Sequence, residues 1–266
     1  PIMKAPVEIL PADYVVVEST YGDRLHEASN PADDLEKSIN RTVQRGGTVV
    51  IPSFAVGRAQ SLLYYIHQLK EEGRISKNLP VYLDSPMAVS ATELLLKHLN
   101  DHRLPPELCK DVCEAAQYTR TREQSKALDS NNNGVPKIII SASGMATGGR
   151  VLHHLTHYLG DRRSTVLLAG YQAVGTRGDR LAKGESVIKI HGQLWTVAAE
   201  IVKMGNMSAH GDYSEILAWV KGMKKAPRKV FVTHGEIDAA KSMCQKIETE
   251  LGWTAIAPTY EYSEEL

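Results

Sequence analysis

Three side chains suited to proton and metal chemistry stand at or just beyond the ends of apolar runs. They are Glu18 after "DYVVV", His210 in "GNMSAHGDY" and His234 after "KVFVT". A carboxylate at the end of a buried strand needs a partner, because burying it unpaired is very costly. Histidine is the side chain best matched to proton transfer near neutral pH, and its neutral ring is a common metal ligand. A glutamate held against an imidazole fixes its tautomer and raises its basicity. Singly, each residue has a bland reading: a solvated strand end, a surface loop histidine, a histidine beside a glycine. Together they suit a metal-assisted hydrolase, with one histidine on metal and the other held by the glutamate. Behind His210, Asp212 and Glu215 stand at the spacing of a helix N-cap with its capping box.

Loops of small residues form the second candidate group. "SASGMATGGR" sets Ser141, Ser143, Gly144, Gly148, Gly149 and Arg150 between a β-branched run and an amphipathic stretch. Small residues let backbone N–H groups approach an anion, and a helix start favours negative charge. The stretch is neither a P-loop nor a dinucleotide fingerprint. "PSFAVGRAQ" offers a second such loop, with Ser53 and Arg58. Arg58, Arg150 and Arg177 all fall in or next to such turns, where a guanidinium suits phosphate, although a solvated face explains any single one equally well. "HHLTH" imitates zinc-protease spacing through His153 and His157 but lacks the glutamate after the first histidine, so packing or exposure is expected there. Cys109 and Cys113 have helical spacing and are expected to pack rather than bind metal.

The elements that position these residues repeat one grammar. Five segments, starting at "TVVIPSF", "PVYLDSP", "KIIISAS", "TVLLAGY" and "KVFVTHG", run from a short apolar strand through a polar turn into a helix. That alternation predicts an α/β fold with a mostly parallel, doubly wound sheet whose ligands bind beyond the carboxyl ends of the strands. Tyr14 to Val17 reads as a buried strand. "GESVIKIHGQLWTVAAEIVKM" reads as strands, "DSNNNGVPK" as a surface turn, and Pro105–Pro106 as a break between helices.

The chain has 266 residues, 42% hydrophobic and 23% charged, ordinary values for a globular protein. Its formal net charge of zero provides no overall basic field for nucleic acid, so local arginines are judged one by one. Three cysteines without a C-x-x-C pair argue against a disulfide framework and for a reducing, cytoplasmic setting. No apolar run approaches the roughly 18 residues of a membrane span. The start, "PIMKAPVEIL", lacks an initiator methionine, which suggests a fragment or a processed product.

In combination the motifs resemble the β-CASP branch of the metallo-β-lactamase superfamily, a group of RNA-processing nucleases. The resemblance runs from about residue 10 to the end: Glu18 in "VVESTYG" is similar to motif A, His210 in "MSAHGDY" to motif B, and His234 in "VTHGE" to motif C. "PSFAVGRAQ", "YLDSPMA" and "SASGMATGGR" look like the family's intervening segments.

The resemblance implies that His234 is a zinc ligand. His210 would contact the scissile phosphate and protonate the leaving oxygen, with Glu18 orienting it. The small-residue loops, Ser53, Arg58, Ser143, Gly144, Gly148, Gly149 and Arg150, would then bind RNA phosphate. It further implies a β-CASP domain at 24–205 inserted between metallo-β-lactamase segments at 1–23 and 206–266, with RNA in the cleft between the two domains. The family's H-x-H-x-D-H zinc motif does not occur in these residues. The expectation is therefore a C-terminal portion of a longer enzyme, whose missing N-terminal half completes a site for two Zn2+. Alone, the chain is expected to bind RNA without cutting it, with or without zinc, and an uncovered surface would favour a homodimer. The rival readings are a non-catalytic RNA-binding scaffold on the same fold and a nucleotide-binding α/β domain.

Overall fold

A computed structural model of the chain describes residues 1–130 and 134–265. In chain order the elements begin with β1 (Tyr14–Glu18), α1 (Pro31–Gln44), β2 (Thr48–Pro52), α2 (Arg58–Glu71), β3 (Val81–Asp84) and α3 (Pro86–Lys97). They continue with α4 (Pro106–Glu114), β4 (Gln117–Tyr118), α5 (Arg122–Ser130), β5 (Lys137–Ser141), α6 (Val151–Tyr158), β6 (Thr165–Ala169) and α7 (Arg177–Ala182). The last are β7 (Val187–Ile190), β8 (Gln193–Thr196), β9 (Glu200–Met204), α8 (Tyr213–Lys221), β10 (Lys229–Thr233), α9 (Ile237–Leu251) and β11 (Ala255–Ile256). The turn expected over 129–137 includes residues 131–133, which lie outside the described residues.

Two compact units emerge, one of Pro1–Lys4 with Ser29–Met207, the other of Ala5–Ala28 with Ser208–Leu266. The changeovers fall after residues 4, 28 and 207, whereas the sequence reading put them after 23 and 205. Local bonds account for the difference. Arg103 N–H donates to Ile2 O and Met3 bridges His102, which ties the first residues to the larger unit. His26 bonds to residues 210 and 212, which keeps 24–28 with the smaller one.

The larger unit is built on a six-stranded sheet ordered β4-β3-β5-β2-β6-β9, with every pair parallel. Side chains alternate between its faces, as the strand period of two requires. Val49 and Ile51 join the core formed with α1 and α2, whereas Val50 between them joins the core formed with α6 and α7. Ile138 and Ile140 against Ile139 on β5 repeat the pattern. These strands are therefore buried on both faces, as the continuous apolar runs implied.

Beside those cores lies a largely buried polar cluster. His154 Nε2 is 2.7 Å from Asp84 Oδ2, and its Nδ1 is 2.7 Å from Asp129 Oδ1. Carboxylate oxygens only accept, so both ring nitrogens donate and the ring is an imidazolium. Ser125 Oγ–H donates to Asp84 at 2.5 Å and Arg150 Nη1–H at 2.7 Å, so two carboxylates face one imidazolium and one guanidinium. Burial opposes charge on His154, yet the bonds to Asp129 and Asp84 raise its pKa above the usual histidine range. Burial likewise opposes ionisation of Asp84, and the bonds from His154, Ser125 and Arg150 hold its pKa below the usual range. The cluster fastens the ends of β3 and α5 to α6.

The smaller unit carries the parallel sheet β1-β10-β11. Val15, Val17, Val230 and Val232 pack against Ile216, Leu217 and Val220 of α8 and Met243 and Ile247 of α9. Here the sequence expectation needs correcting: β1 is not buried throughout, because Val16 is 66% exposed. Helices α8 and α9 meet one face of the strand, and alternation puts Val16 on the other.

His154→Ala is expected to destabilise the larger unit by about 3–5 kcal/mol, because it leaves buried carboxylates uncompensated. In the native chain the His154 contribution is fully present below about pH 6.5, its unfolded value, and is lost as pH rises through the higher folded value. The Asp84 contribution is present above about pH 3.9 and is lost as pH falls through the lower folded value. Urea midpoints measured across pH should show both declines in the native chain and no alkaline decline in the variant.

Candidate functional site

In the smaller unit, the register of β1 with β10 places Glu18 opposite Thr233, so His234 leaves β10 where Ser19 and Thr20 leave β1. Ser19 Oγ–H donates to Thr233 O at 2.8 Å and fastens the two strand ends together. The approach is close enough that a Cβ on Gly235 would lie 2.4 Å from Ser19 Oγ and 2.5 Å from Ser19 O. His234 itself is in the left-handed region at φ 51°. That conformation is uncommon for a residue with a side chain and tends to accompany functional sites.

Among the described residues, His234 is held on one side only. Thr20 Oγ1 lies 3.0 Å from His234 O and 3.2 Å from His234 Nδ1. A hydroxyl has one proton, and the carbonyl can only accept it. Nδ1–H therefore donates to Thr20 Oγ1, and Nε2 keeps a bare lone pair on an exposed side chain, the form in which imidazole binds a metal.

His210 follows the same plan with a different partner. Its Nδ1 is 2.7 Å from Glu18 Oε2, a close approach that is not aligned as a hydrogen bond. Glu18 Oε1 meanwhile accepts Gly211 N–H at 3.1 Å, so one carboxylate grips both the ring and the loop that carries it. The two imidazole centroids are 5.2 Å apart. Glu18, His210 and His234 each bring a ligand-type atom within 4.8 Å of the others. Two nitrogens and a carboxylate at that spacing fit zinc chemistry, with His234 Nε2 the donor left clear for the ion.

In the larger unit, Ser53, Ser143, Gly144, Gly148, Gly149 and Arg150 follow neighbouring strands β2 and β5 at one edge of the sheet, as parallel pairing requires. Ser143 Oγ accepts Thr147 N–H at 3.1 Å and Gly148 N–H at 3.2 Å, closing the loop on itself. Gly149 has φ 79°, and a Cβ there would sit 2.3 Å from Ala142 O. Ser53 Oγ–H donates to Phe54 O at 3.1 Å. The arginines turn inward. Buried Arg58 donates to Ala169 O, Arg150 to Asp84 and to the carbonyls of Thr119 and Arg120, and Arg177 to the carbonyls of Lys189, Ala146 and Thr147. His153 and His157 are exposed, as expected of the imitation zinc motif, while buried His154 between them is the ring that carries structure.

Three residues were not singled out from sequence. Thr20 lies two positions beyond Glu18, which on extended chain points it to the same side, and that spacing was a usable signal. His26, in "YGDRLHE", and His154 carry no local signal, because their partners come from distant parts of the chain.

Fold and site together define a mostly parallel α/β protein in which a carboxylate and two histidines converge. Comparison with known proteins places the chain among relatives. Residues 59–181 match the Beta-Casp domain, and residues 195–258 match the Zn-dependent metallo-hydrolase RNA specificity domain. Ribonuclease TTHA0252 of Thermus thermophilus is 35% identical over 235 residues, which cover 85% of this chain and 52% of that protein. An RNase J-like protein of Methanocaldococcus jannaschii is 33% identical over 241 residues, covering 88% and 55%. Transcription termination factor FttA of Methanosarcina mazei is 33% identical over 257 residues, covering 89% and 39%. The chain thus belongs to the β-CASP family, and it spans between 39% and 55% of the length of these relatives. Among the described residues, no helix is long and apolar enough to cross a membrane.

Two substitutions test this geometry. Thr20→Val removes the acceptor for His234 Nδ1–H and should weaken zinc binding at His234 about 10–100-fold, measured by competition with a chelating dye, while Thr20→Ser retains it. Gly235→Ala should destabilise the smaller unit by about 1–3 kcal/mol through overpacking against Ser19. An unaltered unfolding midpoint would show that the strand ends can separate freely.

Proposed function

We propose that this chain supplies the RNA-binding domain and the motif A, B and C residues of a zinc-dependent, RNA-processing nuclease. The observation that carries the reading is the convergence of Glu18 with His210 and His234. Both imidazoles are braced at Nδ1, which directs Nε2 of each toward reacting groups. Zinc, when bound, acidifies water and withdraws charge from phosphoryl oxygens. His234 is the ligand for it in this chain. His210 holds a proton at Nε2 and delivers it to the departing 3′ oxygen, while Glu18 keeps the ring in place.

The further zinc ligands belong in this proposal to an H-x-H-x-D-H segment on a metallo-β-lactamase half of the same protein. The domain limits follow the same reading, with the β-CASP domain at 24–205 and metallo-β-lactamase segments at 1–23 and 206–266. RNA as substrate is supported by the description of the domain matched at residues 195–258 and by the ribonuclease name of one relative. In the larger unit, the RNA contacts are the loops of Ser53, Arg58 and "SASGMATGGR". Three free cysteines, two of them buried, suit the cytoplasm.

The 266-residue chain is expected to bind labelled RNA without hydrolysing it in the presence of zinc. Turnover at the rate of the full-length protein would contradict the proposed division of the zinc ligands. In the full-length enzyme, His210→Ala should lower kcat about 10²–10⁴-fold with zinc content intact, and Glu18→Gln about 10–100-fold. Loss of zinc from the His210 variant, read by metal analysis, would make His210 a ligand instead of an acid.

A further inference from the structure

The loop carrying His210 is gripped from a second direction. His26 Nε2 lies 2.8 Å from His210 O, and a carbonyl can only accept, so Nε2 carries the proton and donates it there. Glu215 Oε2, 3.4 Å from the same nitrogen, is also an acceptor. Nδ1 of His26 is buried without a hydrogen-bond partner among the described residues, so nothing on that side competes for the proton. The ring packs against Tyr21 with centroids 5.0 Å apart. His26 backbone N–H donates to Asp212 Oδ2 at 3.0 Å. One residue therefore brackets positions 210 to 212 from both its side chain and its backbone, while Glu18 holds the His210 ring and Gly211 N–H.

His26, Asp212 and Glu215 also gather closely enough to suggest a cation site. Both oxygens of Asp212 and Oε2 of Glu215 are already engaged. Asp212 accepts Ser214 N–H, Ser214 Oγ–H, Glu215 N–H and His26 N–H, and Glu215 Oε2 accepts Asp212 N–H. Burial opposes ionisation of Asp212, but these donors hold its pKa below the usual carboxylate range. The group forms the start of α8, with His26 built into it.

We infer that His26 is a positioning residue for His210. By holding the His210 carbonyl it fixes the peptide plane from which the imidazole projects, and so keeps Nδ1 against Glu18. Its effect on hydrolysis rests on the nuclease reading, whereas the positioning is a property of the loop alone.

The test compares His26→Ala with His26→Gln, whose amide retains an N–H donor. In the 266-residue chain, NMR reports Gly211 amide exchange and the ring nitrogen shifts of His210 without metal or RNA. His26→Ala should speed Gly211 exchange about tenfold or more and move the ring signals, and His26→Gln should restore both. In the full-length protein, His26→Ala should lower kcat about tenfold at unchanged KM, with recovery in the Gln variant. A folded His26→Ala chain with native exchange and ring signals would overturn the inference. If the Ala variant does not fold, the Gln variant decides: native signals support the carbonyl bond, and displaced ones overturn it. Shifted signals in His26→Ala, combined with a native full-length protein that does not cut RNA, would uphold the positioning and remove the nuclease reading.

Discussion

The chemistry of the smaller unit depends on β1 and β10 ending side by side. Parallel pairing in the register Glu18 to Thr233 brings residues far apart in sequence to one point. A slip of one residue would turn every side chain of β1 to the opposite face, taking Glu18 from His210 and Thr20 from His234 together. Register is fixed twice over, by Val15 and Val17 facing the helices and by Ser19 lying against Gly235, where no larger residue fits. The loop of His210 then needs anchors only to this edge, and it has them in Glu18, His26 and the carbonyl of Tyr21, which accepts Tyr213 N–H.

Four histidines show how partner chemistry assigns a role to one side-chain type. His154, between two carboxylates, is a fixed cation and cannot shuttle protons without disrupting the core around it. His26 faces a carbonyl with one nitrogen, and the other has no hydrogen-bond partner among the described residues, which suits a strut. His234 faces a hydroxyl already committed to a carbonyl, so its outer nitrogen is bare. His210 has a carboxylate on one nitrogen only, which leaves the other available for proton transfer. None of these differences follows from exposure alone: His26 and His210 are both half-buried, yet one faces a carbonyl and the other a carboxylate.

This distinction also marks what was legible in the sequence. Glu18, His210 and His234 could be found because each stands beside a pattern with a physical cause, a β-branched run or a capping box. Segments such as the one at "KIIIS" could be read because three successive apolar residues, Ile138 to Ile140, indicate a strand covered on both faces. The same rule misjudged β1: "YVVV" looks equally continuous, and valine propensity does not say whether one face or two will be covered. His26 and His154 were invisible for another reason. Their partners lie 184 and 70 residues away, and no local spacing encodes such a pairing.

The arginines illustrate a further limit, because the direction of a side chain is not accessible from residue type and position. Arg58, Arg150 and Arg177 stand beyond the carboxyl ends of strands, and each guanidinium turns back to bond within the protein. Their partners differ in what they leave behind. Asp84 neutralises Arg150, so that arginine contributes rigidity and little field. Arg177 donates to three backbone carbonyls, which satisfy its N–H groups without cancelling its charge. A cation held in that way projects a positive potential through a loop whose shape it also fixes, and it does so without losing side-chain freedom when an anion arrives. For a chain with no net charge, attraction to a polyanion has to come from such local arrangements rather than from an overall basic surface.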